Sequence, residues 1–329
     1  MATCYSCGTA LEGDKRSYEH IINNTIGGQT GSFELLCKRC NEGYGNSIDA
    51  DLAKQLRDIG ILLNIKRDRN IPEPRVKMVT ATGEVKEVGY GMRPHIKLSF
   101  PAKDKQVQIF TTETKYEKLV KDKTKELSAL GKVSFVESTE LPTKEKYYLK
   151  DELYDGEGYR KFGGQLMHRS VAKMCVNRYL SLGFPREYCE SLIEFIRGKL
   201  DPYPQFYYFP SNYSIHELDG DETSHIIHLR GDTKQRVLYA YVELFNFENS
   251  LIIFDLDYRG AEIKDTYALD PILGTEVKKE ISIRLTRNHF EDLWLICDNF
   301  YKPYVARYNR IMQIIEKKQI TDSSKASVH

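Results

Sequence analysis

Four of the seven cysteines fall within the first 40 residues, as Cys4-x-x-Cys7 and Cys37-x-x-Cys40. Each pair places two thiolates on one tight turn, and together they supply the four sulfurs of a tetrahedral structural zinc site. Such a site has no open position for a substrate, so the metal would hold the fold and take no part in catalysis. A structural zinc contributes on the order of 10 kcal/mol to a small module, and a segment this short with a Gly-rich middle is expected to need it. Between the two pairs stands Tyr18-Glu19-His20-Ile21-Ile22. Its apolar positions make it a strand, on which adjacent Glu and His side chains point to opposite faces unless the strand bends.

The elements that must carry these residues belong to a chain of 329 residues, a length that suggests about two domains. Hydrophobic residues make up 41% and charged residues 29%, as in a globular protein, which argues against a mainly disordered chain. The net charge is +1, so a strongly basic whole-protein field is excluded and any nucleic acid would have to meet a local patch. With 22 Tyr and 14 Phe against one Trp, a sizeable β component is expected. No apolar run approaches a membrane span, and the N-terminus has no apolar stretch of signal-peptide type. The expected setting is the reducing cytoplasm, where paired cysteines read as metal ligands before they read as disulfides.

Ile48, Leu52, Leu56 and Ile59 recur at helical spacing and predict a helix over 47–63, with Ser47 as its N-cap. Alternating residues predict strands near 76–80, 85–88, 95–100 and 107–110, and a Lys-rich helix is expected over 113–130. From Lys66 to Lys105 there are ten Lys or Arg against five Asp or Glu, which reads either as a solvated surface or as a track along a DNA backbone. Helices are expected over 165–182 and from Pro185 to about 200. Strands follow over 206–215, 224–229, 236–245, 251–256 and 279–285. A last helix is expected over 288–318, broken near Pro303.

In this setting the sequence resembles the HNH nuclease family, the zinc-stapled four-cysteine branch of the ββα-metal endonucleases. The resemblance covers about residues 4–56. It rests on Glu19-His20, Gly27-Gly28, the Ser32 to Asn41 stretch with its Leu-Cys-x-x-Cys-Asn, and the continuation through Gly45-Asn46 to Asp49. It implies an α+β protein, with a small N-terminal treble-clef-like ββα-metal zinc domain followed by a larger mixed α+β domain. The expected division is 1–70 for the nuclease domain, 71–150 for a β-rich basic connecting region with a helix, 151–320 for a C-terminal recognition or partner domain, and 321–329 for a disordered tail. The resemblance makes His20 the general base. It makes Glu19 and Asn41 ligands of a catalytic Mg²⁺ or Mn²⁺, and Cys4, Cys7, Cys37 and Cys40 the zinc ligands. The sequence departs from the family at Glu19, where Asp is usual, and at Ser32, where Asn is usual. Asn46 and Asp49 are candidates for the supporting role, Asp49 equally for capping its helix. Lys38 and Arg39 read as phosphate contacts or as solvated charges. The implied activity is metal-dependent hydrolysis of DNA phosphodiester bonds, leaving a 5′-phosphate and a 3′-hydroxyl. Family analogy suggests restriction or antiphage defence as its setting. One such site cuts one strand, so duplex cleavage calls for a homodimer or two nicks, and the C-terminal domain is the expected contact for a partner protein. The alternative is a zinc-stabilised nucleic-acid-binding module, or a complex subunit inactive alone.

Other constellations carry less. His225 and His228, three apart on a strand, face opposite sides. His168-Arg169 reads as surface, and Asp255 with Asp257 as a strand-to-turn junction. Cys175, Cys189 and Cys297 read as buried thiols. Lys173, Asn177 and Arg178 share a helix with Met174 and Leu180, and are explained by core and surface partitioning or by contact with DNA or a partner.

Overall fold

In a computed structural model of the chain, the residues described are 2–67, 75–80, 83, 85–92, 96–102, 105–111, 121, 147–149, 162–199, 204–210, 214–291 and 301–326. The contacts divide the chain into two compact units. One joins Met1–Arg57 and Ile65–Asn70 to Phe162–Ile314, and the other comprises Asp58–Asn64, Ile71–Lys161 and Ile315–His329. The N-terminal segment thus shares one unit with the C-terminal segment that the sequence marks off as a separate domain.

The N-terminal segment is a ββα arrangement. Strands β1 (Glu19–His20) and β2 (Gly31–Ser32) pair antiparallel, Glu19 opposite Ser32 and His20 opposite Gly31. The loop between them depends on glycine. Gly27 has a left-handed φ of 103°, and a Cβ on Gly28 would lie 1.7 Å from the Ile22 carbonyl oxygen. Helix α1 (Lys38–Gly45) starts inside the second cysteine pair, with Cys37 at its N-cap and Cys40 in its first turn, and α2 (Ile48–Leu62) follows α1. Ile48, Leu52, Leu56 and Ile59 are all buried, as their spacing predicts. Ser47 precedes α2 and its carbonyl accepts from Asp51 N–H at 3.1 Å, while its hydroxyl donates back to the Gly43 carbonyl at 2.7 Å.

In the same unit, α3 (Gln165–Ser181) and the short α4 (Glu190–Ile196) precede a six-stranded antiparallel sheet. Its strands are β8 (Gln205–Tyr207), β9 (His225–Asp232), β10 (Val237–Leu244), β11 (Glu248–Asp255), β12 (Ile263–Asp270) and β13 (Thr275–Glu276), in the order β13-β12-β9-β10-β11-β8. β10 is buried at every position, which is why it reads as a continuous Val-Leu-Tyr-Ala-Tyr-Val run with little polar alternation. On one face Tyr239 and Tyr241 form a cluster with Ile281, Ile283, Leu285 and Phe290. Helix α3 lies on the other face, where Arg178 pairs with Asp265 and sits over the Tyr267 ring.

Three expectations change here. Residues 279–285 form no strand; their alternating Ile281, Ile283 and Leu285 cover the sheet face and join no ladder. Of the expected 206–215 strand, the described residues are extended in a ladder only within β8. β12 has no counterpart among the expected strands, because its Lys264, Asp265 and Thr266 interrupt the apolar pattern. The unit closes with α5 (Arg287–Glu291) and enters α6 (Tyr301–Ala326). Pro303 falls in the first turn of α6, where its missing N–H breaks no helical bond. α6 continues to Ala326, so residues 321–326 of the expected disordered tail are helical.

In the other unit, β3 (Val76–Thr80) lies between β4 (Val85–Val88) and β7 (Tyr147–Leu149), and β5 (Ile96–Ala102) pairs with β6 (Lys105–Thr111), all antiparallel. The helix expected over 113–130 lies outside the described residues except for Lys121, which is helical.

Candidate active site and zinc staple

The first cysteine knuckle closes through Cys4 N–H to Thr9 O and Gly8 N–H to Cys4 O, both 2.8 Å, with Gly8 left-handed at φ 76°. The second is the entry to α1, where Asn41 N–H reaches Cys37 O at 2.9 Å. These two turns bring the four Sγ atoms within 4.8 Å of one another, with Cys7 and Cys37 3.6 Å apart. Sulfurs at Zn–S distances of about 2.3 Å in a tetrahedron stand roughly 3.8 Å apart, so the set fits zinc. Among the described residues this is the group of His, Cys, Asp and Glu placed to hold a metal ion.

Residues 4–57 match the HNH endonuclease family. No curated protein and no solved structure matches the chain. The HNH match takes in both knuckles, the β1–β2 hairpin, α1 and the first turns of α2, and so every residue on which the resemblance was drawn.

Within the HNH segment the expected site residues are placed differently from one another. His20 is half-buried, with its ring edge-on to Tyr18 at 5.1 Å between centroids. Glu19, on the opposite side of β1, is buried. Its carboxylate pairs with the Lys173 ammonium and accepts from the Asn177 amide at 2.7 Å. The same amide donates to the His20 carbonyl oxygen at 2.9 Å, while the Asn177 side-chain oxygen accepts from the Tyr5 hydroxyl at 2.9 Å. Asp49 is buried beside this pair, 3.0 Å from Lys173 and accepting from the Ser170 hydroxyl at 2.6 Å. It therefore does not serve as a cap. Asn41 donates to Ser17 Oγ at 2.9 Å and to the Tyr18 carbonyl at 3.0 Å, tying α1 to the start of β1. Ser32 accepts from Glu34 N–H at 3.0 Å and shapes the loop after β2. Asn46 is an exposed helix C-cap, and Lys38 and Arg39 are exposed at the start of α1.

Glu19, as placed, does not fit a ligand of a divalent cation. Its Oε1 already takes both the Lys173 ammonium and the Asn177 amide, and a metal on its other oxygen would sit beside a buried positive charge. Lys173 offsets part of the buried charge instead. Burial works against the Lys173 ammonium, but Glu19, and then Asp49, outweigh it and hold its pKa above the ordinary lysine value.

Lys173 and Asn177 are thus buried partners of the HNH segment and face neither solvent nor DNA. The signal that finds them is present in the sequence. Ser170, Lys173 and Asn177 stand at i, i+3 and i+7, one polar stripe through the buried apolar run of Val171, Ala172, Met174, Cys175 and Val176. That stripe meets Glu19 and Asp49, while Arg178, on the far side, holds the sheet. Two further contacts dock the hairpin loop: His225 Nε2 reaches the Ile26 carbonyl at 2.8 Å, and Gly27 packs on Pro271. Lys66, beyond α2, donates its N–H to Pro271 O at 2.8 Å.

The remaining candidates resolve as structure. His228 bonds Thr266 while His225 bonds Ile26, so the two share no ligand position. His168 is largely buried against Tyr207, and Arg169 donates to the Ile196 carbonyl at 2.6 and 2.9 Å. Asp257 pairs with Arg236 and Arg287, and Asp255 accepts from Asp257 N–H. Cys175 and Cys189 are fully buried thiols whose pKa values are raised by burial, that of Cys189 to about 12. Cys297 lies outside the described residues.

Proposed function

We propose that the chain is an endonuclease that hydrolyses phosphodiester bonds of DNA, with His20 as the general base. The observation that carries this reading is the HNH match over residues 4–57, with its four sulfurs clustered as a staple beside the hairpin that bears His20. In the reaction His20 takes a proton from the attacking water. Lys38 and Arg39, exposed at the start of α1, are placed to meet backbone phosphates. Zinc on the four thiolates supports the fold only. A requirement for Mg²⁺ or Mn²⁺, a homodimer or partner protein engaged through the C-terminal segment, and a role in restriction or antiphage defence belong to the same reading.

The test is incubation of the purified protein with supercoiled plasmid and Mg²⁺ or Mn²⁺, beside EDTA and His20→Ala. Nicking or linearisation that both abolish is the expected result. The engaged state of Glu19 favours one second reading, a nucleic-acid-binding module that does not cut. It predicts DNA binding unaffected by His20→Ala and no cleavage by the folded, zinc-loaded protein with either metal.

A further inference from the structure

We propose that Lys173 and Asn177 of α3 are positioning residues of this hydrolytic centre, and that Glu19 is the anchor they grip and not a metal ligand. The proposal rests on the nuclease reading of His20.

Among the described residues β1 pairs with β2 alone, so its other edge has no strand partner. The carbonyls of Tyr18 and His20, two residues apart, lie on that edge and would otherwise be unsatisfied. Two asparagines take them, Asn41 from α1 and Asn177 from α3. The Asn177 amide is itself fixed at both ends, by Tyr5 on its oxygen and by Glu19 on its nitrogen. Lys173, one turn earlier on the same stripe, neutralises Glu19 and is neutralised in turn by Glu19 and Asp49. The backbone of His20 is therefore held through a closed set of hydrogen bonds that ends on a helix more than 150 residues away in the chain. A general base must be placed within a few tenths of an ångström to act, and this set fixes the main chain from which its ring projects. Since Glu19 and His20 point to opposite sides of β1, the acidic residue serves the histidine through the backbone and not through a shared metal.

Two measurements on the full-length chain decide this. The first compares Mn²⁺ binding, followed by the EPR signal of free Mn²⁺, for the wild type and Glu19→Gln. Equal binding within about twofold, including none by either, is expected. Binding about tenfold weaker in Glu19→Gln makes it a metal ligand and overturns the proposal. The second uses Asn177→Ala and the milder Tyr5→Phe, which removes only the hydroxyl that orients Asn177. For plasmid nicking, kcat falls about tenfold in the first and about threefold in the second, with KM unchanged. The ring NMR signal of His20, assigned through His20→Ala, shifts or doubles in both. An unchanged kcat or an unchanged ring signal in folded Tyr5→Phe overturns the positioning role. If the wild type cuts nothing, the nuclease reading fails, while the Mn²⁺ comparison and the ring signal still decide how Glu19 and Asn177 act.

Discussion

The cysteine knuckles and the Glu19 cluster hold opposite parts of the same HNH segment by opposite means. The knuckles are local, with sulfurs contributed by two turns of the segment itself. The Glu19 cluster is non-local, with half its members on α3. The knuckles supply four sulfurs whose charge as thiolates a bound metal would neutralise. The Glu19 cluster sets one lysine between its two carboxylates and spreads the remaining negative charge over hydrogen bonds from Asn177 and Ser170. The difference teaches that a metal-stapled module need not be autonomous. Its fold can depend on zinc while the placement of its histidine depends on a distant helix.

The comparison breaks most readily at the staple. Zinc removal, or Cys37→Ser, is expected to unfold the HNH segment, because a structural site contributes on the order of 10 kcal/mol. Metal content and near-UV circular dichroism read this directly, and a Cys37→Ser protein that keeps its zinc and its spectrum would remove the distinction.

At the other clamp, Lys173→Met leaves Glu19 and Asp49 buried without a counter-charge, an expected loss of about 3–5 kcal/mol in urea unfolding. Adding Glu19→Gln to it should recover part of that loss, since one of the two stranded charges is gone. A Lys173→Met protein as stable as the wild type would show the cluster to be solvated.

A smaller effect is carried by pH. Burial lowers the pKa of His225, which also bonds Ile26 of the HNH segment, and those of His168 and His228, each from 6.5 to about 4. For a histidine lowered in the folded state, the stability is complete above 6.5 and is lost as pH falls through about 4. The urea midpoint should therefore decline on acidification across that window. Replacing His225 by Gln should flatten part of the decline, and an unchanged slope would detach His225 from it.

The least change is expected at Arg178, on the far side of α3. Its bond to Asp265 is bidentate, at 2.7 and 2.8 Å, but partly exposed, so Arg178→Ala should cost about 1 kcal/mol and leave plasmid nicking unaltered. A loss of nicking comparable to that of Asn177→Ala would show that α3 acts on the site as a whole and not through its polar stripe.

How much could be read beforehand follows from the range of each signal. The zinc set was legible because its spacing is local, with two residues between the cysteines of each turn. The buried stripe of α2 was legible because Ile48, Leu52, Leu56 and Ile59 repeat at the helical period. His20 was legible through its motif. The stripe of Ser170, Lys173 and Asn177 carried an equally regular period, yet a polar stripe at that spacing reads the same whether it faces water or a buried carboxylate. The 279–285 segment was misread for a related reason. Alternation reports burial on one side, and Ile281, Ile283 and Leu285 are buried on one side without joining a ladder.

The sequence by itself therefore determined the clustering of the four sulfurs and the Gly-rich hairpin, since each depends on residues close in the chain whose chemistry admits few alternatives. Only the tertiary structure decided that Glu19 turns inward to Lys173, that Asn177 grips the carbonyl of His20, and that the HNH segment and the C-terminal sheet form one unit. Those outcomes depend on which buried charge finds which partner, and a buried carboxylate is stable beside whatever cation the fold brings to it, however far away in the chain that cation begins.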